Sequence, residues 1–273
     1  MGILKPYGKG RNMKLSVAMI TFNEEKNLER TLNSVKKIAD EIVIVDSGST
    51  DKTEEIARKY NCKFIKNKWL GYGPQRNLAI ENSTNPWILN IDADEELSLG
   101  LQKRIEEIKE SENEKEVFKI NFTSVCFNKK LKHGGWSGTY RIRLFKKDAG
   151  RFNDNMVHEE FITKKEVYPI KEDIYHHSYL TLEDYLQKFN RYTTEGAIDY
   201  YKKGKKSSIF QIVFNPIFKF LRMYIFRLGF LDGIEGLMIA VDSALYSMTK
   251  YFKLREIYRN GAYYNENNNI KNR

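Results

Sequence analysis

The residues best suited to chemistry follow a short apolar run, Trp87–Ile91, that is typical of a buried strand. Asp92 and Asp94 come directly after it, and Glu95 and Glu96 extend the acidic stretch. Carboxylates against a core strand need a cation, because burying an unpaired carboxylate is costly. Two such oxygens at one strand end can ligate a hard divalent ion. The pattern therefore indicates Mn²⁺ or Mg²⁺ holding a substrate phosphate; a solvated acidic turn is the alternative.

Two further polar clusters follow apolar runs nearer the start of the chain. Thr21–Glu24 comes after Leu15–Ile20, and Asp46–Asp51 comes after Glu41–Val45. The segments between the runs have apolar residues at helical spacing, which predicts a parallel sheet with helices on both faces. In such sheets, ligands bind beyond the carboxyl ends of the strands. The three polar clusters therefore predict one site on that edge of the sheet.

The same pattern predicts the fold class: α/β, with a mostly parallel central sheet flanked by helices and a C-terminal helical extension. A catalytic domain is expected over residues 14–180. Its first half, 14–100, alternates strands and helices, and its second half, 101–180, is expected to be mixed and partly antiparallel. Residues 181–259 are predicted to be helical, with a break near Pro216.

The charge of the chain is unevenly distributed. The formal net charge is +10, and residues 201–259 contain 11 lysines and arginines but only 4 acidic residues. Such a segment indicates an anionic partner, either nucleic acid or a membrane surface. Residues 1–13 are expected to be a flexible leader without a signal peptide, and residues 260–273 a disordered tail. Two cysteines give no disulfide framework, which fits the cytoplasm.

Together these motifs resemble the inverting glycosyltransferases of family 2, which have the GT-A fold. The segments that carry the resemblance are Val17–Glu24, Ile44–Asp51, Gly73–Asn77 and Asn90–Glu95. Later segments resemble the lipopolysaccharide-core glucosyltransferase branch: His133–Trp136, Arg141–Phe145, Val157–Glu159, His177–Tyr179 and Tyr224–Gly233. The resemblance covers roughly residues 14–255 and implies a nucleotide-sugar half, 14–100, and an acceptor half, 101–180.

The resemblance implies a nucleotide-sugar donor on the sheet edge. The residues that it places there are Thr21, Asn23, Glu24, Asp46, Ser47, Asp51, Arg76 and Asp92. Asp46 would accept from a pyrimidine N–H, which favours uridine, and Arg76 would lie near the nucleotide or diphosphate. The Asp46–Asp51 segment could also be a helix-capping turn, with Ser49 or Thr50 as the cap. An ordinary helix-surface arginine is the alternative for Arg76.

The resemblance also implies the metal and the catalytic base. Asp92 and Asp94 would hold the metal, with His177 as a further ligand; a structural histidine is the alternative, and the neighbouring His176 adds ambiguity. Glu159 is the candidate base that takes a proton from the acceptor hydroxyl, and Glu160 is the second choice. A solvated pair of glutamates would explain the same two residues.

Arg141 and Arg143 alternate along a predicted strand and therefore share one face. Guanidinium groups suit phosphate, so the two are candidate donor-binding residues; a solvated basic face is the alternative. Aromatic and basic residues are mixed over residues 201–259, which suits a helix at an anionic membrane surface. A helical subdomain packed on the catalytic core is the alternative.

The predicted function is metal-dependent, inverting transfer of a sugar from a UDP-hexose, with UDP-glucose favoured. The acceptor would be a lipopolysaccharide core or another lipid-linked glycan, at the inner face of the cytoplasmic membrane. A dehydrogenase lacks its Gly-x-Gly-x-x-Gly loop here, since Thr21–Glu24 follows the first strand. A nucleotidyltransferase would need a basic loop at that position to bind a triphosphate, and this loop is acidic. A basic nucleic-acid-binding protein is the remaining alternative, although no nucleic-acid motif occurs.

Overall fold

The computed structural model describes residues 13–111, 114–154 and 159–259. The expected leader, apart from Met13, and the expected tail lie outside these residues, as do Val157 and His158. The chain forms two compact units. Among the described residues, the first unit contains 13–123 together with Gly138–His177, and the second contains Ser124–Ser137 and residues 178–259.

The first unit begins with the predicted alternation of strands and helices. The elements are β1 (Leu15–Thr21), α1 (Leu28–Val35), β2 (Glu41–Asp46), α2 (Thr53–Lys59), β3 (Lys63–Lys66), α3 (Tyr72–Glu81) and β4 (Trp87–Asn90). The four strands are parallel in the order β3-β2-β1-β4. Thr21 lies opposite Asp46, so β1 and β2 end level with each other. This register brings the polar clusters that follow these two strands to one edge.

Apolar burial fixes this half of the sheet. Leu15, Val17 and Met19 of β1 are fully buried, and they belong to one core cluster with Leu28 and Leu32 of α1. The apolar residues of α1 recur at intervals of three and four, so they form one face that packs on the sheet. Because a shift by one residue would turn the strand's apolar face outward, this packing also fixes where each strand ends.

The rest of the sheet is mixed. Its strands are β5 (Glu95–Leu97), β6 (Val117–Cys126), β7 (Lys129–Lys130), β8 (Ser137–Lys146) and β11 (Val167–Tyr179), and helix α4 (Leu99–Glu110) follows β5. The order continues β4-β8-β6-β11-β5, with β8 antiparallel to β4 and β5 antiparallel to β11. A separate antiparallel pair is formed by β9 (Gly150–Phe152) and β10 (Phe161–Thr163). Pairing with β11 places β5, and thus the end of the acidic run, in the sheet itself.

The second unit is mainly helical, as the sequence predicts. It contains α5 (Leu182–Lys202), α6 (Ile209–Leu221), a π-helical turn over Arg222–Phe226, a short 3₁₀ helix (Gly229–Asp232) and α7 (Gly233–Arg259). Thr181 caps α5, and Ser208 caps α6. Asp232 accepts hydrogen bonds from the amides of Lys132 and His133 and contacts the His133 ring at 2.9 Å. The second unit therefore holds the loop that contains His133–Trp136 beside the start of α7.

Two local predictions were wrong. Helix α6 passes through Pro216 without a break, and Pro216 is buried. Packing of α6 along α7 offsets the one backbone hydrogen bond that proline removes. Neither Ser49 nor Thr50 caps the following helix, which begins at Thr53. The hydroxyl of Ser49 and the amide of Thr50 are instead used in contacts with Asp46 and Asn23.

Candidate active site

The loop after β2 is organised by Asp46. Its carboxylate accepts hydrogen bonds from the hydroxyls of Thr21 (2.8 Å) and Ser49 (2.5 Å) and from the amides of Gly48 (2.9 Å) and Ser49 (2.8 Å). Asp46 is 1% exposed. A carboxylate has about four lone-pair positions, and four donors of the chain itself already use them. A ligand N–H could therefore reach Asp46 only after one of the two hydroxyls rotates away.

A second set of contacts joins the loop after β1 to the same turn. Asn23 has a left-handed backbone (φ 55°), its amide donates to the Ser49 hydroxyl at 2.8 Å, and its side chain accepts from the Thr50 amide at 2.9 Å. The Glu24 amide donates to the hydroxyl of Thr53 at 2.8 Å. These reciprocal contacts hold the two loops together as one preformed edge.

Asp51 and Ser47 complete this edge. Asp51 accepts from the amides of Glu25 (3.0 Å) and Thr53 (3.0 Å). Burial would raise the pKa of Asp51, but the hydrogen bonds from Thr53 and the Glu25 amide outweigh it and lower the pKa. The hydroxyl of Ser47 accepts from the Gln75 side chain at 3.1 Å, which ties the loop to α3. The predicted nucleoside residues therefore lie together in the first unit.

Arg76 of α3 is the centre of a second cluster. It is 3% exposed, and its guanidinium donates to Glu159 Oε1 (3.0 Å), Asn90 Oδ1 (2.8 Å) and Asp92 Oδ2 (2.9 Å). Burial alone would lower the pKa of Arg76, but Asp92 and Glu159 raise it, so the guanidinium stays charged. Arg76 therefore connects the end of β4 with the candidate base, which lies 83 residues away along the chain.

Arg143 of β8 approaches the same acids and is 3% exposed. It donates to Asp92 Oδ2 at 3.0 Å and to Glu95 Oε1 at 2.6 Å. Burial would raise the pKa of Asp92, but Arg76 and Arg143 lower it strongly. Burial raises the pKa of Glu95 to about 7, and the neighbouring Asp92 adds to this against the attraction of Arg143. Arg143 thus contacts carboxylates of the chain. These contacts favour a role in positioning Asp92 and Glu95 over direct binding of a phosphate.

Arg141, two residues earlier on β8, is exposed, and both guanidinium groups lie over the Phe122 ring, at 5.0 and 5.2 Å from its centroid. The two arginines share a face, as the alternation predicts, but their surroundings differ. Arg141 is the member of the pair that reaches solvent, so it is the one that remains a candidate for contact with a bound anion.

The structure shows which of the two adjacent histidines contacts the Asp94 carboxylate, a question that the sequence left open. His176 Nε2 lies 3.2 Å from Asp94 Oδ2, whereas His177 Nε2 contacts Glu96 Oε2 at 2.8 Å. Burial would lower the pKa of His176, but Asp94 raises it. The amide of His177 donates to the Asp94 carbonyl at 2.9 Å, because β11 runs beside this segment. The structure therefore places the ring of His176, and not that of His177, at the Asp94 carboxylate.

These positions test how well the site suits a metal. Asp92, Asp94 and His177 do not form a preformed three-ligand set, and no group of three such side chains in the described residues is arranged to hold an ion. Two guanidinium groups beside Asp92 also weaken its attraction for a cation. Of the predicted ligands, Asp94 is the one that would hold an Mg²⁺ or Mn²⁺ ion, since such ions bind through one or two carboxylates together with substrate phosphates.

The two candidate bases differ in position. Glu159 is partly buried, with 19% of its side chain exposed, and it contacts Arg76. Glu160 is exposed, and its backbone pairs with Asn153 instead. The geometry favours Glu159, because it alone of the two contacts the cluster that contains Asp92.

Sequence reasoning missed the roles of several residues at this site. Glu95 is fully buried and accepts from the Asp92 amide, and Asn90 accepts from both buried arginines. Arg30 of α1 lies 3.9 Å from Glu96. A polar Asn90 at the end of an apolar strand was the available signal for one of them. Arg30 gives no such signal, because a charged residue on a helix is usually solvated.

Comparison with known proteins decides the family. The family described as "Glycosyl transferase family 2" matches residues 16–165. This chain belongs to glycosyl transferase family 2. It is a glycosyltransferase, and the predicted α/β fold of the GT-A type, with its central sheet, flanking helices and C-terminal helical part, is confirmed. The dehydrogenase, nucleotidyltransferase and nucleic-acid-binding alternatives are set aside by this result.

The similar proteins include two that are named as glycosyltransferases and one solved structure. An uncharacterized glycosyltransferase of Rickettsia bellii is 35% identical over 255 residues, covering 89% of this chain and 86% of the relative. The lipopolysaccharide core biosynthesis glycosyltransferase LpsC of Rhizobium meliloti is 29% identical, covering 89% of this chain and 92% of LpsC. The crystal structure of S. aureus TarS 1-349 in complex with UDP is 19% identical with a TM-score of 0.45, covering 91% of this chain and 92% of that one.

Proposed function

We propose that the protein is a metal-dependent, inverting glycosyltransferase that moves a hexose from a UDP-sugar to a lipid-linked saccharide. The observation that carries the proposal is the Arg76 contact, which brings Glu159 to the same guanidinium as Asp92. A candidate base and a donor-side acid therefore contact one fixed cation. A single displacement at the anomeric carbon needs both groups held in one site in this way.

The donor would lie along the preformed edge. The loops at 21–25 and 46–53 would hold the nucleoside, with Asp46 accepting from a pyrimidine N–H once the Thr21 or Ser49 hydroxyl turns away. Their existing hydrogen bonds support this role, because a rigid loop loses little conformational freedom on binding. Asp94 would hold Mn²⁺ or Mg²⁺, which would neutralise charge on the departing diphosphate.

The acceptor half of the reaction would rest on Glu159. Its carboxylate would take the proton from the acceptor hydroxyl as that oxygen attacks the anomeric carbon. Arg76 would fix the direction of the carboxylate through the 3.0 Å contact with its Nε. Because Arg76 is buried and paired with Asp92 as well, a shift of either acid would disturb the other.

The nature of the acceptor is proposed from the relatives. LpsC, which covers most of this chain's length, is named for lipopolysaccharide core biosynthesis. A lipid-linked core saccharide would be met at the inner face of the cytoplasmic membrane, so the enzyme would work from the cytoplasm. UDP-glucose is the first donor to try.

The test is a screen of UDP- and GDP-sugars for Mn²⁺-dependent hydrolysis and thermal shift, with Asp94→Ala beside the wild type. We expect the wild type to hydrolyse a UDP-hexose and to be stabilised by it against thermal unfolding. Asp94→Ala should show neither effect. Asp148→Ala removes an exposed carboxylate of the same unit and is the matched control. No response to any sugar, or an equal response in Asp94→Ala, would reject the donor site.

A further inference from the structure

Helix α6 and the turn after it carry a continuous exposed apolar face in the second unit. Its members share an outward position at helical spacing: Ile209, Phe210, Val213, Phe214, Ile217, Phe218, Leu221, Ile225 and Phe226. Ile209 and Phe226 are each 74% exposed, and Phe210 stacks on Phe214 with centroids 4.5 Å apart. Large apolar patches of this kind mark interaction surfaces.

An open groove lies between α6 and α7 next to this face. It has a volume of about 260 Å³ and an entirely apolar lining that includes Pro216, Phe220, Val241, Leu245 and Met248. The residues that line the groove expose no polar atom to it, so a ligand there finds no hydrogen-bond partner. The groove therefore suits a flexible hydrocarbon chain better than a peptide, whose backbone would need polar partners.

A basic cluster accompanies the apolar face. It consists of Lys219, Arg222, Arg227 and Lys250, and none of the four forms an ion pair with a carboxylate among the described residues. Burial lowers the pKa of Lys219, and repulsion from Lys250, Arg222 and Arg227 lowers it further. Like charges gathered without an acid are complementary to an external anion.

The way in which α6 meets a membrane follows from these charges. Residues 209–226 are long and apolar enough to cross a membrane, and 17% of that stretch is buried. Crossing would carry Lys219 and Arg222 into hydrocarbon, and α7, which packs along α6, would bring Lys250 and Asp242 with it. Charged groups at that depth are costly, so a helix lying in the interface is favoured.

We infer that α6 and the turn to Phe226 lie in the surface of an anionic phospholipid bilayer, with the apolar face among the acyl chains and the basic cluster on headgroup phosphates. The inference deepens the proposed function, on which it rests, because a lipid-linked acceptor would be presented at that surface. The apolar groove would take part of an acyl chain. An exposed aromatic face bordered by cations without acidic partners is the composition of such interfacial helices.

The test is flotation of the full chain with vesicles of phosphatidylcholine alone and of phosphatidylcholine with phosphatidylglycerol. We expect binding to the anionic vesicles that weakens with salt. Each basic residue at such a surface contributes roughly fivefold in affinity, so Lys219→Gln with Arg222→Gln should weaken binding by roughly 25-fold. Lys37→Gln with Lys103→Gln removes the same charge from exposed positions of the first unit and should change little.

Phe210→Ser with Phe214→Ser should also reduce flotation, whereas Ile162→Ser, at a 54% exposed apolar residue of the first unit, should not. Equal binding to both vesicle types, or no binding to either, would overturn the inference. So would a dimer in the absence of lipid that Phe210→Ser with Phe214→Ser converts to a monomer, since a second copy would then cover the face. Donor hydrolysis by the same variants should stay at the wild-type level, which separates this outcome from failure of the donor site.

Discussion

Arg76 and Arg143 in the first unit are buried against carboxylates, whereas Lys219 and Arg222 in the second unit reach solvent with no ion pair among the described residues. The first arrangement is closed on itself, because each guanidinium donates to three acceptor residues of the chain. The second is open and needs an anion from outside. A cation that is paired with carboxylates of the chain therefore helps to shape a site. A cation without an ion pair among the described residues marks a surface that can bind an external anion.

Removal of Arg76 should have the largest effect and would test the closed arrangement. Arg76→Ala leaves Asp92 and Glu159 without their shared cation, and breaking a buried ion pair costs about 3–5 kcal/mol. Urea denaturation should show this loss. Arg58→Ala breaks the exposed Arg58–Glu54 pair and should cost less than about 1 kcal/mol. Similar small losses in both variants would contradict a structural role for the buried pair.

The next effect concerns the base. Glu159→Gln keeps the size of the side chain but cannot take a proton, so sugar transfer should fall by roughly 10²–10⁴ while UDP binding is retained. Transfer rates and UDP titration of the same preparation would measure the two quantities. Glu160→Gln, at the exposed neighbour, should transfer at a rate near that of the wild type. If Glu160→Gln is the variant that loses transfer, the assignment of the base is reversed.

Substitutions at two glycines, one in each unit, compare how closely other atoms approach the backbone in the two units. A Cβ on Gly236 of α7 would lie on the Gly229 carbonyl oxygen, so Gly236→Ala should cost about 1–3 kcal/mol. A Cβ on Gly100 of α4 would meet only the side chains of Glu172 and Ser98, at 3.5 Å or more. Gly100→Ala should therefore stabilise by about 0.5–1 kcal/mol. Thermal unfolding would check both signs, and stabilisation by Gly236→Ala would refute the close approach.

The smallest effect is a dependence on pH in the first unit. Burial would raise the pKa of Asp40, but hydrogen bonds from Lys14, the Leu15 amide and Lys109 lower it to about 2. A lowered pKa in the folded state gives stability that is present above the unfolded value of 3.8 and is lost as the pH falls towards about 2. Asp40→Asn should therefore cost about 1 kcal/mol above that window, after allowance for solvent screening, and nothing below it. An equal cost at every pH would show that the charge is not the cause.

The sequence predicted the edge of the sheet well, because it depends on local signals. Apolar runs that end in polar residues locate the strand ends, and the parallel register of Thr21 with Asp46 follows from two such runs. The same signals did not reveal β5 or β11, since charged residues interrupt the apolar pattern of both segments. Their strand structure is stabilised by the partner strand, and no property of the segments alone reports that.

The connections between distant residues were not predictable from spacing. Arg76 contacts Glu159, which lies 83 residues later in the sequence, and neither segment contains a pattern that predicts this contact. His176 and His177 are adjacent, and only the position of β11 beside Asp94 decides which ring points to it. Pro216 in α6 shows the same limit, since the packing against α7 overrides a local rule.

The most direct test of the account is a crystal structure of Glu159→Gln with UDP and Mn²⁺. We expect the nucleoside against the loops at 21–25 and 46–53, the ion bound to Asp94 and to diphosphate oxygens, and the amide of the substituted side chain facing the space beyond the diphosphate. UDP bound away from these loops, or an ion that Asp94 does not touch, would contradict the claim that this edge of the sheet is the donor site.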